Sequence, residues 1–249
     1  MLVRAESLRH VVATVALGPV LLVQGRRVRR TVPVLPEADG PREGEIGSGK
    51  LLRLLVLGDS AAAGVGARTQ DEALSGQLAM SLAPTFRLRW KLVAFTGATT
   101  TDMLDHLQGV PAEAFDVVVT SLGVNDVTGR VSLAAWRRAQ QALIAVLQAR
   151  FGARHILLSG LPPMQRFPAL PQPLRWYVGS RACDFNRVLA NVAANRPGCE
   201  FLALGHEMMD ASAMAGDGFH PGPPIYALWA REAAHRIVQR MEHRMEQTT

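Results

Sequence analysis

The stretch VLGDSAAAGVGA, Val56 to Ala67, decides the fold of this 249-residue chain. An apolar run ends abruptly at Gly58-Asp59-Ser60, and small residues then follow the serine for a full helical turn or more. A short continuous apolar run closed by a turn signal is typical of a strand that is buried on both faces. We therefore interpret this stretch as a buried strand that presents a serine at its carboxyl end, with little side-chain bulk around it.

The same unit recurs along the chain: a short apolar run, a loop of small residues and a longer segment with helical spacing. Five runs are interpreted as strands: LLRLLVL (51–57), LRWKLVAF (88–95), FDVVVTSL (115–122), RHILLSG (154–160) and CEFLAL (199–204). The segments between them carry apolar residues three and four positions apart, as amphipathic helices do. This alternation predicts an α/β fold, a doubly wound three-layer α/β/α sandwich around a parallel, flavodoxin-like sheet of about five strands.

Residues suited to catalysis follow several of these strands. In an open α/β sheet, ligands bind beyond the carboxyl ends of the strands, so residues at that edge converge in space. Such positions hold Gly58-Asp59-Ser60, Thr96-Gly97-Ala98 and Gly123-Val124-Asn125-Asp126, and Asp217-Gly218-Phe219-His220-Pro221 precedes the last helix. The sequence therefore predicts that a serine, a glycine, an amide and an acid with a histidine meet at one edge.

These residue types suit acyl transfer through a serine. Ser60 needs a base to become a nucleophile, and His220 is a candidate base, with Asp217 orienting the imidazole and stabilising its charged form. A tetrahedral intermediate carries an oxyanion, for which the Ser60 N–H, the Gly97 N–H and the Asn125 amide are candidate donors. A helix after Ser60 would add the N–H groups of its first turn. Taken singly, Ser60 also fits a helix cap and Gly97 a turn glycine.

Four blocks, in this order, resemble the SGNH hydrolases, also called GDSL-type esterases and lipases. The blocks are GDS at 58–60, the glycine of FTGATT, GVND at 123–126 and DGFHP at 217–221. The resemblance extends from residue 51 to about residue 240. The first block lacks the leucine that commonly follows the serine, and Phe95-Thr96 precedes the glycine of the second block where many members carry an asparagine. The elbow G-x-S-x-G of the α/β-hydrolases is absent around Ser60.

The resemblance implies a serine hydrolase that cleaves carboxylic (acyl) esters through an acyl-enzyme intermediate and needs no cofactor. It implies a catalytic triad of Ser60, Asp217 and His220, and an oxyanion hole of Ser60, Gly97 and Asn125. Two alternatives use the same site, an acyltransferase and a carbohydrate acetylesterase. A third alternative, a flavodoxin-like binding module without catalysis, is disfavoured because neither G-x-G-x-x-G nor a Walker pattern follows the first strand.

The composition favours one globular domain, since 48% of the residues are hydrophobic and 19% are charged. A net charge of +6 would permit a nucleic-acid partner. However, the basic residues are scattered except for Arg26, Arg27, Arg29 and Arg30, and no basic stretch alternates with aromatic residues as a base-stacking surface does. We therefore expect no nucleic-acid partner. No Cys, His and Asp cluster has the spacing of a metal site, so no metal is expected.

Residues 1–50 are interpreted as an N-terminal apolar helix and a Pro- and Gly-rich linker, ahead of a hydrolase domain at 51–249. The apolar run at 11–24 is shorter than the roughly 20 residues that span a bilayer, and GRRVRR follows it in place of a signal-peptide cleavage site. We expect the segment to pack on the domain; the alternative is a peripheral membrane contact through residues 1–30. The expected location is the cytoplasm, with membrane association as the alternative, and no pattern predicts an oligomeric state.

The segment LPPMQRFPALPQPLRWYVGS, at 161–180, is too rich in proline for regular structure. A long loop at the catalytic edge commonly shapes a site. It offers four apolar side chains for an acyl pocket and two arginines for an anionic group: Met164, Phe167, Leu170, Trp176, Arg166 and Arg175. The alternative is that these side chains only pack the loop down. Acyl esters, thioesters, lysophospholipids and acetylated sugars are all candidate substrates.

Overall fold

A six-stranded sheet forms the centre of the computed structural model, which describes the backbone of residues 2–205 and 210–246 and the side chains of 13–205, 210 and 212–243. The strands are β1 (Glu43–Ile46), β2 (Lys50–Gly58), β3 (Phe86–Ala94), β4 (Val117–Ser121), β5 (His155–Ser159) and β6 (Cys199–Leu202). Their order is β1-β3-β2-β4-β5-β6, with β2 to β6 parallel and β1 antiparallel to β3. The predicted α/β fold and its five parallel strands are confirmed.

Helices surround this sheet on both faces. In the described residues they are α1 (Leu2–Thr31), α2 (Leu74–Leu82), α3 (Thr100–Gly109), α4 (Val124–Thr128), α5 (Leu133–Phe151), α6 (Leu174–Ala194) and α7 (Pro223–Glu246). Alternate residues of β2 face two separate cores. Leu54 and Val56 pack in the core that includes α2 and α7, whereas Leu55 and Leu57 pack in the core that includes α3, α5 and α6. The sheet is therefore the middle layer of three, which explains why its strands are continuously apolar.

The antiparallel edge strand β1 lies within the segment interpreted as a linker. Gly44 pairs with Trp90 of β3, and Glu45 lies 3.5 Å from the guanidinium groups of both Arg87 and Arg89. The four residues EGEI of β1 are largely exposed. An exposed strand does not need a run of apolar residues, and this one has none. Hydrophobic periodicity does not reveal such a strand, which is held by backbone pairing and charge at the edge of the sheet.

The proline-rich segment 161–180 is less irregular than predicted. A 3-10 turn spans Met164–Arg166, and α6 begins at Leu174. The prolines of the segment end at Pro173, so the residues after it retain the N–H groups that a helix requires. The irregular part is therefore confined to the residues between β5 and Pro173.

One face of α1 packs on the start of α6. Gln24 Oε1 accepts a hydrogen bond from Leu174 N–H at 3.1 Å, and Gln24 Nε2 donates to Gln172 O at 2.7 Å. Thr14 Oγ1 and Tyr177 OH lie 2.8 Å apart. The part of α1 with described side chains therefore packs on the domain, as expected; the side chains of residues 1–12 lie outside the described residues. Among the described helices, none combines the length and apolar composition of a membrane span.

The carboxyl ends of the parallel strands are level with one another. Gly58 at the end of β2 pairs with Ala94 of β3 and with Ser121 of β4, and Ser121 pairs with Ser159 of β5. Gly58 has no room for a side chain, because a Cβ atom there would lie 2.4 Å from Ser121 O. The loops that follow these strands therefore start from one edge, the place where ligands bind in such sheets.

Candidate active site

Ser60 lies directly beyond β2, on a series of tight turns. The Val65 N–H donates to Ser60 O at 3.0 Å, which closes the first of them. The helix expected after the serine is not formed. Gly64 and Gly66 have φ angles of +86° and +99°, a left-handed backbone that interrupts a right-handed helix, and α2 begins only after a further loop. The serine is therefore presented on a turn and not on a helix.

Ser60, His220 and Asp217 form one hydrogen-bonded chain. Ser60 Oγ lies 2.9 Å from His220 Nε2, and His220 Nδ1 lies 2.5 Å from Asp217 Oδ2. Asp217 Oδ1 also accepts from the Phe219 N–H at 2.9 Å and from the His220 N–H at 3.0 Å. These bonds fix the carboxylate against Nδ1, so the neutral imidazole carries its proton there and turns the lone pair of Nε2 to the serine.

The acid of this chain is buried and the imidazole is partly open to solvent. Asp217 and Ser60 are 5% and 8% exposed, whereas the His220 side chain is 19% exposed. Burial acts to raise the pKa of Asp217, but hydrogen bonds from the His220 ring, the His220 N–H and the Phe219 N–H outweigh it, and the pKa is lowered. Asp217 is therefore a carboxylate at neutral pH.

A second buried acid, Asp59, precedes the serine. Asp59 Oδ1 accepts from the Ala61 N–H at 3.1 Å, and this bond shapes the turn that carries Ser60. Burial raises the pKa of Asp59 to about 7, against the lowering effects of that hydrogen bond and of the electrostatic interaction with His220. Asp59 therefore titrates near neutral pH, a range in which Asp217 is already ionised.

Asn125 and Gly97 lie on neighbouring turns that are joined through Ala98. Asn125 Nδ2 donates to Ala98 O at 3.0 Å, and Gly97 is an exposed residue with a φ angle of +86°. The Phe95 N–H donates to Gly58 O at 3.3 Å, which ties this turn to the end of β2. The hydrogen bonds of the described residues do not join Gly97 or Asn125 to the serine, so their part in an oxyanion hole stays a prediction.

Asp126 fixes the turn of Asn125 against the start of α3. Its Oδ2 accepts from the Thr100 N–H at 3.1 Å and from the Thr100 hydroxyl at 3.0 Å. The Thr100 hydroxyl in turn accepts from Trp136 Nε1 at 3.2 Å and from Gln140 Nε2 at 3.1 Å. All four residues are buried, and a buried network of this kind holds a single geometry.

Two residues that hold the Gly97 turn, Glu37 and Arg42, were missed by the sequence reasoning. Glu37 Oε1 accepts from the Thr96 N–H at 2.7 Å and from the Thr96 hydroxyl at 2.8 Å. Arg42 donates to Glu37 Oε2 at 2.6 Å and to Ala94 O at 2.8 Å. Glu37 and Thr96 are 59 residues apart, and no local pattern links positions at such a distance. The supposed linker thus supports the second sequence block.

A mostly apolar cavity, partly open to solvent, borders Ser60 and His220. Its apolar wall includes Leu122, Val124, Leu161, Phe167, Leu204, Phe219, Ile225 and Trp229. The Phe219 ring lies 5.0 Å from the Phe167 ring and 5.3 Å from the His220 ring, both edge-on. The cavity therefore offers an apolar surface directly beside the serine and the imidazole.

Of the side chains predicted to line an acyl pocket, only Phe167 does so. Met164 and Leu170 are buried in the core shared with α5 and α6, and Trp176 is 45% exposed on α6. Arg175 Nε donates to Leu170 O, and neither Arg175 nor Arg166 lines the cavity. The prediction is wrong for these five residues because the 3-10 turn and α6 fold them onto the core or out to solvent.

Candidate metal ligands are not grouped in the described part of the chain. No set of three or more His, Cys, Asp or Glu side chains in that part is arranged to hold an ion. Cys183 and Cys199 are free thiols.

Comparison with known proteins relates the whole of this site to one family. Residues 56–228 match the model of the GDSL-like Lipase/Acylhydrolase family. A GDSL-like esterase of Mycobacterium tuberculosis is 27% identical over 189 residues, which are 72% of this chain and 59% of that protein. The chain thus aligns with less than two thirds of the length of this curated relative.

Two solved structures share the fold. A carbohydrate esterase family 2 enzyme with a carbohydrate-binding domain, from Corynascus thermopiles (Myceliophthora fergusii), has a TM-score of 0.62 at 15% identity, over 84% of this chain and 69% of that one. An acetylxylan esterase from Geobacillus stearothermophilus has a TM-score of 0.56 at 19% identity, over 77% and 95%. At these identities the likeness shows the fold alone. The family match itself spans more than half of the sequence, and the chain belongs to the GDSL-like Lipase/Acylhydrolase family.

Proposed function

We propose that this chain is a serine hydrolase that cleaves carboxylic esters with a triad of Ser60, His220 and Asp217. The observation that carries the proposal is the 2.9 Å distance between Ser60 Oγ and His220 Nε2, with Asp217 on the far nitrogen of the ring. A nucleophile, a base and a group that orients the base, all within hydrogen-bond reach, are what serine catalysis requires. Membership of a family of lipases and acylhydrolases supports the same class of reaction.

In the first half of the proposed reaction, Ser60 Oγ bonds to the ester carbonyl carbon while His220 Nε2 takes the hydroxyl proton. Asp217 stays ionised and stabilises the imidazolium. The bond between the carbonyl carbon and the alcohol oxygen then breaks, and His220 gives its proton to that oxygen. In the second half, His220 takes a proton from water as the water oxygen attacks the acyl carbon. The bond between the acyl carbon and Ser60 Oγ then breaks, His220 returns its proton to Oγ, and the carboxylic acid leaves.

We infer that the Ser60 N–H, the Gly97 N–H and the Asn125 amide bind the oxyanion of each tetrahedral intermediate. Asn125 Nδ2 carries two hydrogens, and its bond to Ala98 O uses one of them, which leaves the other for a substrate. Among the described residues, none beyond the two chain neighbours of Gly97 has a heavy atom within 4 Å of the position of a Cβ there, so a substrate has room to approach this turn. Removing one donor of this kind typically lowers the rate by about 10²–10³-fold.

The substrate we propose carries an apolar acyl group longer than acetyl. The cavity beside the serine supports this choice, because most of the described residues that line it are apolar, with Asp59, Ser60, Ser121 and His220 as the charged, hydroxyl and imidazole groups. Each buried methylene contributes about 0.8 kcal/mol, which corresponds to about a fourfold gain in kcat/KM while space remains. A carbohydrate acetylesterase would gain nothing from a longer acyl chain.

We further propose that residues 51–249 form the hydrolase domain, of which 206–209 and 247–249 lie outside the described residues. Residues 1–50 would then support it from outside, with β1 on the sheet edge and Glu37 at the Gly97 turn. The family match at 56–228 lies wholly inside the proposed domain, which is in keeping with this division.

Hydrolysis of p-nitrophenyl esters from acetate to palmitate tests both the reaction and the acyl preference. We expect kcat/KM to rise about fourfold for each added methylene up to one chain length, and we expect the Ser60→Ala variant to lose at least about 10³-fold in rate. A maximum at acetate would favour the acetylesterase alternative. A new ester formed when an alcohol competes with water would favour the acyltransferase alternative. Equal turnover by Ser60→Ala would refute the proposed function.

A further inference from the structure

The solvent-facing side of α1 has an apolar half and a basic half. Three valines in its middle are 78%, 46% and 65% exposed, and three of the four exposed arginines at the end of the helix lie on the same side. We call these six residues the α1 stripe: Val15, Val20, Val23, Arg26, Arg27 and Arg30. At 100° per residue, the six positions fall on one side of the helix, so they form a continuous surface.

The opposite side of α1 fixes the direction in which the stripe faces. Leu21 is buried there, and Gln24 forms hydrogen bonds with the Leu174 N–H and with Gln172 O. These contacts set the rotation of the helix about its axis. The stripe is therefore turned to solvent by the fold, and its valines are exposed although α1 packs well on its other side.

The basic half of this surface forms no ion pairs with the side chains that the structure describes. Within the described side chains, none of Arg26, Arg27, Arg29 and Arg30 has a carboxylate oxygen within 4 Å. Arg29 and Arg130 both line a cleft between α1, α4 and α6, so the positive surface continues onto the body of the domain. An apolar patch beside unpaired arginines is complementary to a bilayer with anionic headgroups.

We propose that the α1 stripe docks this protein on an anionic lipid bilayer. The three valines enter the boundary between headgroups and acyl chains, and the arginines contact the negative headgroups. Neither half alone holds a protein on a membrane firmly, because stable peripheral binding takes an apolar and an electrostatic contribution together. This interaction lies beyond the proposed esterase function and does not depend on it.

The packed side of α1, opposite the α1 stripe, borders elements of the candidate active site. The cleft on that side is lined by Val127 and Thr128 of α4, the helix that carries Asn125. Gln24 of α1 also holds the end of the loop that contributes Phe167 to the apolar cavity. Helix α1 therefore lies between a bilayer docked on the stripe and this part of the site.

Vesicle co-sedimentation with the full-length chain tests the proposal. We expect binding to vesicles of phosphatidylcholine with phosphatidylglycerol, weaker binding at high salt, and little binding to phosphatidylcholine alone. Each arginine near an anionic surface contributes about a fivefold factor in partitioning. Replacing Arg26, Arg27, Arg29 and Arg30 by Gln should therefore lower the partition coefficient by at least about 100-fold. Replacing the three valines of the stripe by Ser should lower it by at least about tenfold.

The matched control carries the same loss of charge elsewhere. Four exposed arginines on α5 and α7, Arg137, Arg138, Arg231 and Arg240, are replaced by Gln, and binding should stay within about threefold of the original. Thermal melting followed by circular dichroism verifies that each variant is folded. Because no step measures ester hydrolysis, the result is independent of the proposed function.

Three outcomes would overturn the proposal. An equal loss of binding in both arginine variants would show that only net charge matters. Equal binding to both kinds of vesicle, or binding to neither, would show that the surface does not recognise anionic lipid. Sedimentation velocity that shows a dimer, dissociated by the valine replacements and without vesicle binding, would assign the α1 stripe to a second copy of the chain.

Discussion

His220 Nε2 lies 2.9 Å from Ser60 Oγ, although 160 residues separate the two along the chain. The contact joins the turn after β2 to the loop before α7. The backbones of these two loops also touch, because a Cβ atom at Gly66 would lie 2.2 Å from Pro221 O. The relative position of serine and histidine is therefore set by close packing of the backbone, and this is the preorganisation that a catalytic pair needs.

Asp217→Asn should remove most of the activity while leaving the fold intact. The Asn oxygen still accepts from the Phe219 and His220 N–H groups, but its NH₂ group now faces Nδ1 and forces the proton onto Nε2. We expect kcat to fall by about 10³–10⁴-fold, the effect of the wrong tautomer in a serine triad. The control is Asp210→Asn, at an exposed acid that caps a 3-10 turn. Its kcat should stay within about twofold of that of the unaltered protein. Similar kcat values for Asp217→Asn and the unaltered protein would argue against the role of Asp217.

Asn125→Ala should act on kcat more than on KM. The lost amide hydrogen serves the oxyanion, which exists only near the transition state, so we expect kcat to fall by about 10²–10³-fold with KM nearly unchanged. Steady-state kinetics on the best ester of the series measures both constants. Asn195→Ala, at the end of α6 where the amide donates to Asn191 O, is the matched control and should retain full kcat. A rise in KM alone would instead indicate a role in ground-state binding.

Asp59→Asn should stabilise the protein increasingly as the pH rises from 4 to 7. In this range the unfolded carboxyl, with an ordinary pKa of 3.8, loses its proton while the folded one, with a pKa of about 7, keeps it. The folded state then binds more protons, so the stability of the unaltered protein falls with pH, by about 1.4 kcal/mol per unit from this group. Asparagine does not titrate and still accepts from the Ala61 N–H.

Urea unfolding at several pH values measures this effect as the difference between the Asp59→Asn variant and the unaltered protein. Both share every other titrating group, so the difference isolates Asp59. It should grow from pH 4 to 7 and level off above. A difference that does not change with pH would contradict the raised pKa.

Glu37→Ala should lower activity from outside the triad. Its carboxylate holds the Thr96 N–H and hydroxyl, and a displacement of about 1 Å in a catalytic group can cost about 10²-fold in rate. We expect kcat to fall by about 10–100-fold. In hydrogen-exchange measurements, the backbone amide of Thr96 should exchange with solvent faster than in the unaltered protein. Glu37→Gln keeps an acceptor oxygen and should recover much of the loss. The control is Glu72→Ala, which breaks an exposed ion pair with Arg68. An equal fall in kcat in this control would contradict a specific role of Glu37 in holding the Gly97 turn.

Much of the fold follows from the sequence because its parallel strands are buried on both faces. Leu54 to Leu57 point alternately into two cores, so every position of that run is apolar and the strand is recognised at once. The edge strand β1 has solvent on much of its surface and pairs through Glu45 and backbone groups, so it carries no such run. Its position depends on β3, which lies far along the chain.

Those residues of the candidate site that meet through a general rule of topology could be predicted from the sequence. Residues whose contacts are specific to this chain were missed. The proximity of Ser60 and His220 was predicted because the loops of a parallel sheet meet at the carboxyl edge of its strands. No such rule places Glu37 against Thr96, because that contact depends on the course of an irregular segment. No such rule predicts where the side chains of Met164 and Trp176 point either. Their directions depend on a 3-10 turn and on the residue at which α6 begins.

Covalent labelling of the folded protein by a fluorophosphonate, read as intact mass and as the modified peptide, identifies the nucleophile. An activated serine reacts with this reagent, whereas an ordinary one does not. We expect one adduct per chain on Ser60, no adduct in Ser60→Ala or His220→Ala, and full labelling in Ser121→Ala, the control serine that lines the same cavity. An unchanged mass for the folded chain, or an adduct that persists in Ser60→Ala, would contradict the assignment of Ser60 as the nucleophile.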